Sequence, residues 1–203
     1  MALYRVDFQG ALHGAETFQH GHHVESSGSS TDVAQDAAAQ WLAILAVSAF
    51  SELFHTGVVW TQVNVSELGA TPADPVVTSA QEPISDAGTS TSNPLPNQVA
   101  IVVSLLTASA GSRARGRMFL PPPDLGVLTS AGRLGTSEAG IIADNLQDYF
   151  NAMESAGHVT NVVSAVGGVY TARAVDNIRI GNVLDTQRGR RNSLAEVYTL
   201  RPI

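Results

Sequence analysis

The sequence predicts an α+β fold, with an antiparallel or mixed β-sheet (or sheets) and two main helices packed on it. Three observations predict this. Short stretches of period-two apolar alternation come in pairs separated by glycine-containing turns, the pattern of hairpins. Two longer stretches, Asp32 to Phe54 and Thr136 to Gly157, repeat apolar residues at helical spacing behind capping residues. The helices are set apart by pairs of strands, which argues against a doubly wound parallel sheet. At 203 residues, 44% hydrophobic and 14% charged, the chain has the length and apolarity for a real core. A single domain over 1–203 is expected, with no internal repeat evident.

Residues 2–9 alternate, with Tyr4, Val6 and Phe8 on one side and Leu3, Arg5 and Asp7 on the other; this predicts a strand with one buried face. Gly10 to Gly14 supplies a turn and Glu16 to Glu25 the returning strand. Ser29, Ser30 or Thr31 caps a helix starting near Asp32, whose charge suits the N-terminal end. That helix is expected to run to Phe54 with Ala37, Trp41, Ile44, Leu45 and Ser48 along its packed side. Val58 to Leu68 predicts a strand with Val59, Thr61, Val63 and Val65 on one face. Residues 69–97 carry five prolines among Ser, Thr, Gly and Asp, and predict a long proline-rich arm or loop in which only Val76 to Ala80 forms an edge strand.

Val99 to Thr107 is nearly continuous in apolar residues, as in a strand buried on both faces. A shorter strand carries Arg113, Arg115 and Arg117 into Met118-Phe119-Leu120, and Pro121 to Pro123 force an extended exit that directs the chain away. The second helix is capped by Thr136 or Ser137, packs through Ile142, Leu146, Tyr149, Phe150 and Met153, and ends at Gly157. His158 to Val166 and Val169 to Val183 read as a hairpin about Gly167-Gly168, and Asn192 to Ile203 as one more strand.

Charge is unevenly shared. Residues 1–100 hold ten acids and a single arginine, Arg5, whereas residues 101–203 hold eight acids and ten arginines, within an overall −7. Opposite-signed faces of neighbouring copies could therefore meet, and the overall acidity disfavours wholesale coating of nucleic acid. Cysteine and lysine are absent. Disulfides, thiolate metal sites, a lysine Schiff base and a phosphate-loop lysine are thus excluded. No secretory signal is evident and the longest apolar run, Trp41 to Val47, is far too short to span a bilayer; a soluble protein made in the cytoplasm, with no membrane partner, is expected.

No motif for hydrolysis, phosphate or dinucleotide binding occurs, so no catalytic residue and no cofactor is assigned. His20 and His22 share one face of a strand, acceptable spacing for two metal ligands, but a third would have to come from His13, His55, His158 or a carboxylate. Surface-strand histidines without a ligand role are the expectation. The candidate interaction residues are two arginine groups, Arg113, Arg115 and Arg117, and Arg188, Arg190 and Arg191. Arginine's planar fork suits both carboxylates and phosphates. Pairing with the acidic half of the same or an adjacent chain is favoured over nucleic-acid binding, because Phe119 is the only aromatic near enough to stack on bases.

The runs Arg115-Gly-Arg-Met-Phe-Leu-Pro-Pro-Pro123 and Asp185-Thr-Gln-Arg-Gly-Arg-Arg-Asn192, with the Tyr4-to-Phe18 hairpin, resemble small structural proteins of bacteriophages from GC-rich hosts. The resemblance implies a non-enzymatic virion protein, made in the host cytoplasm and built in many copies into the capsid or the head–tail or tail region. Its partners would be copies of itself and other virion proteins. A nucleic-acid-binding module using the arginines is the alternative, and a metal-dependent enzyme at the histidine cluster the second alternative.

Overall fold

The computed structural model describes residues 1–12, 16–69, 79–84, 99–106, 115–121, 123–129, 134–166, 169–174 and 177–185. Within them nine strands and three α-helices follow in chain order, with a short 3-10 turn at Leu125–Val127: β1 (Ala2–Leu12), β2 (Glu16–Ser26), α1 (Ser30–Leu45), α2 (Ser48–Ser51), β3 (Val58–Leu68), β4 (Ser79–Pro83), β5 (Val99–Leu106), β6 (Arg115–Leu120), α3 (Thr136–Ser155), β7 (His158–Val166), β8 (Val169–Ala174) and β9 (Asn177–Asp185). Every strand pairing is antiparallel. Six strands form one sheet in the order β4-β3-β1-β2-β7-β8, and three form another in the order β6-β5-β9. The fold is α+β, as the hairpin-and-helix patterning predicts.

The topology repeats where the sequence does not. In the first half β1 is central, flanked by its hairpin partner β2 and by β3, the strand that follows α1 and α2. In the second half β5 is flanked in the same way by β6 and by β9, the last strand after α3. The hairpin β7–β8 is inserted between α3 and β9 and crosses to pair with β2. β6 lies alongside β2, and α1 packs against α3. One continuous core joins both halves.

The first hairpin behaves as its alternation requires. Tyr4, Val6 and Phe8 are buried, and they pair with Val24, His22 and His20 across the ladder. α1 begins with a capping box: Ser29 Oγ accepts from the Asp32 backbone N–H while the Asp32 carboxylate accepts from that of Ser29. The helix predicted to reach Phe54 breaks at Ala46–Val47 instead, and α2 follows. Nine residues separate Phe50 from Trp41, so on an unbroken helix Phe50 would point to the opposite side. The break turns it inward, where its ring meets Trp41 edge-on at 6.3 Å. Ala37, Trp41 and Ile44 are buried, but Ser48 is exposed.

β3 corrects a second expectation. Val58 and Trp60 are buried at one end and Val63 and Val65 at the other, while Thr61 is exposed and Val59 only half-buried. Gln9 pairs with Gln62 but Gly10 with Trp60, which leaves Thr61 as the extra residue of a β-bulge. The bulge exchanges inward for outward residues part-way along the strand, so the single-face reading holds for only half of it.

In place of Val76 to Ala80, the edge strand is β4, five residues paired to β3 and ending at a proline; the remainder of the predicted arm, apart from Gly69 at one end and Ile84 at the other, lies outside the described residues. The proline run does not carry the chain away. Pro121 and Pro123 are buried, Pro123 bridges to Phe54, and the Asp124 backbone N–H donates to the Leu53 carbonyl at 2.8 Å. α3 buries the five predicted residues Ile142, Leu146, Tyr149, Phe150 and Met153. Its N-cap is Gly135, one residue before Thr136, and Gly157 ends it at φ +90°, a conformation that glycine adopts without strain. The single return predicted for Val169 to Val183 is two strands in two different sheets, β8 and β9. The strand predicted for Asn192 to Ile203 lies outside the described residues.

Candidate functional site

The chemistry-bearing side chains that the fold brings together lie along β2. Period-two alternation turns His20, His22 and Val24 to the core, with Gly21, His23 and Glu25 on the other face. His20 and His22 do share a face, yet they are not surface histidines: each is 4% exposed. The signal missed in the sequence is their register opposite Phe8 and Val6, which carries them inward with those residues. His20 stacks on Phe8 at 5.3 Å and lies 5.3 Å from the Trp41 ring. His22 sits 5.4 Å from Tyr149 and 5.3 Å from Phe150, both edge-on.

Hydrogen bonding fixes the state of these rings. The Trp60 indole N–H donates to His20 Nε2 at 2.9 Å, so that nitrogen is an acceptor and the ring is neutral. Tyr149 Oη lies 3.3 Å from His22 Nε2. Burial lowers His20 to about 3, and burial reinforced by His23 and His20 lowers His22 to about 3. His23, on the other face, is lowered to about 4 by burial and then by Arg5, against an opposing pull from Asp7. Arg5 Nε donates to Asp7 Oδ2 at 2.7 Å beside it. With both Nε2 atoms engaged inside an aromatic cage, His20 and His22 are poorly placed as metal ligands. Among the described residues no group of three or more His, Asp or Glu could hold a metal ion.

A second constellation was not legible in the sequence. Ser26 Oγ lies 2.8 Å from His158 Nδ1, and His158 Nε2 lies 2.8 Å from Asp36 Oδ2, a Ser–His–Asp chain from the end of β2 through the start of β7 to α1. The three residues are far apart in sequence, and the pairing of Ser26 with His158 brings them together. The order is reversed relative to a hydrolytic triad: the serine is the enclosed member, 1% exposed, and the carboxylate is the one nearer solvent. Ser26 Oγ also accepts from the Gly28 backbone N–H at 2.9 Å. A nucleophile must reach a substrate carbonyl, and this hydroxyl is closed in by both neighbours. Together with the Tyr4 hydroxyl, which donates to the Gly28 carbonyl at 2.8 Å, the chain clamps the β2–α1 junction. Ser26→Ala should therefore lower stability by about 2 kcal/mol, read as a reduced urea midpoint with unchanged slope, because the buried His158 ring and the half-buried Gly28 N–H each lose a hydrogen bond.

Of the arginines singled out, Arg115 and Arg117 fall on β6, at the register positions opposite Leu106 and Ser104. Met118 and Leu120 on the same strand are buried. Arg113, Arg188, Arg190 and Arg191 lie outside the described residues. No helix among the described residues is long and apolar enough to cross a membrane. Comparison with protein-family models, with curated proteins and with solved structures finds no match to the chain.

Proposed function

We propose that this chain is a non-enzymatic structural subunit that self-associates, of the kind built in many copies into the capsid, head–tail or tail region of a bacteriophage particle. The observation that carries the reading is the state of the sheet ends. Among the described residues β4, β8, β6 and β9 each pair with a strand on one side only, and an unpaired strand edge is a template for another chain. Two further points support it. The core histidines and Ser26–His158–Asp36 act as internal fastenings, and the acidic first half and arginine-rich second half give neighbouring copies complementary charge. The phage-like runs at 115–123 and 185–192 supply the particle context. Partners on this reading are further copies and other virion proteins.

Analytical ultracentrifugation and negative-stain microscopy of the purified protein test the proposal. Concentration-dependent assembly is expected, weakened by the charge reversals Arg115→Glu and Arg117→Glu. A strict monomer at high concentration, with no binding to other particle proteins, overturns it. Nucleic-acid binding by the same arginines would show instead as an affinity for DNA that falls steeply with salt.

A further inference from the structure

We propose that His20 and His22 make the β1–β2 hairpin an acid-released latch: at mildly acidic pH their protonation frees β2 from Trp60 of β3 and Tyr149 of α3 and opens the aromatic core. The inference concerns the single chain and does not depend on assembly. It rests on what faces the two rings. His20 meets Phe8 of β1, Trp41 of α1 and the indole N–H of Trp60, which donates to it. A proton on His20 Nε2 would set two donors against each other. His22 meets Phe8, Tyr149 and Phe150, and its Nδ1 is buried with no hydrogen-bond partner among the described residues.

Among the described residues, the ionisable groups around His22 give a cation no support. From α3 comes the Tyr149 phenol, which burial holds protonated, well above its ordinary range. From β2 itself comes His23, whose charge opposes that of His22. Arg5 and Asp7 of β1 pair with each other beside His23 on the far face. Asp36 of α1 is engaged with His158 of β7, 2.8 Å away. Burial, His23 and His20 all oppose a charge on His22.

The sign follows from proton binding. An unfolded histidine titrates near 6.5, whereas the folded protein holds both rings at about 3. Below about pH 6.5 the open chain therefore binds protons that the closed one refuses, and stability falls with falling pH through the whole window down to about 3. At pH 5 each ring raises the open-to-closed ratio about 30-fold, roughly 1,000-fold for the pair.

The experiment is urea unfolding of the full chain from pH 7 to 4.5, followed by fluorescence of its two tryptophans, beside His20→Gln, which keeps an acceptor for Trp60, and His22→Phe. Stability of the natural chain should drop steeply across this range, and the double variant should lose most of the drop. Equal pH dependence in the two proteins overturns the latch. Should the variant not fold, histidine NMR of the natural chain decides: neutral His20 and His22 in the folded state at pH 5 support the proposal, and midpoints near 6.5 in the folded state overturn it.

Discussion

Trp41→Ala is expected to remove about 3–5 kcal/mol of folding stability, the largest effect of any core truncation in this chain. Trp41 is fully buried on α1, and five aromatic rings surround it. Phe8 stacks on it at 4.1 Å; His20, Tyr149, Trp60 and Phe50 approach at 5.3, 5.5, 5.9 and 6.3 Å. Those rings come from β1, β2, α3, β3 and α2, so the cavity would open where five elements meet and none could collapse alone. In a chain of this size the loss corresponds to a fall in Tm of roughly 6–20 °C, measurable by calorimetry. Trp41→Phe gives the contrast. Among the described residues the buried indole N–H of Trp41 has no hydrogen-bond partner, so phenylalanine sheds an unsatisfied donor along with some volume. A loss below about 1.5 kcal/mol is expected for that variant. A Phe variant as weak as the Ala one would mean that the N–H has a role which the ring contacts do not account for.

That ring cluster shows how far the sequence could be read. Tyr4, Val6 and Phe8 were legible on β1 because alternation is a local signal, and the five core residues of α3 were legible because helical spacing is. In isolation the polarity of His20 and His22 argues for solvent. Their partner strand decides otherwise, and register is not local information. The bulge at Thr61 and the break at Val47 escaped for a related reason: each re-aims side chains, Trp60 and Phe50, whose destination lies in another element. The Ser26–His158–Asp36 chain depends on the pairing of β2 with β7, two strands separated by most of the fold. The repeated topology was invisible because two halves can share connections without sharing residues. Of the candidate arginines, only the β6 pair has a place in the described structure.

Gly21→Ala is the second change expected to have a large effect, and the reason lies on the face of β2 opposite His20 and His22. A Cβ on Gly21 would collide with the Val6 carbonyl oxygen, and would lie 2.5 Å from Asp7 Oδ1 and 2.9 Å from Asp7 Cα. The carboxylate could swing away, but the other two atoms are backbone of β1. β1 would therefore have to separate from β2 at the Asp7–Gly21 pair, midway along the ladder that sets the register of Phe8 against His20. A loss of about 3 kcal/mol or more is expected, at or above the upper end of ordinary overpacking. Asp7→Ala in the same chain should not restore it, since the Val6 carbonyl remains. Gly140→Ala supplies the opposite case: it lies inside α3 with nothing within 4 Å of its added methyl, and should stabilise by about 0.5–1 kcal/mol through helix propensity alone. Urea unfolding of the three variants separates the two causes. If Gly21→Ala proved as harmless as Gly140→Ala, β1 and β2 could not be as close as the structure places them, and the inward register of His20 and His22 would fall with that contact.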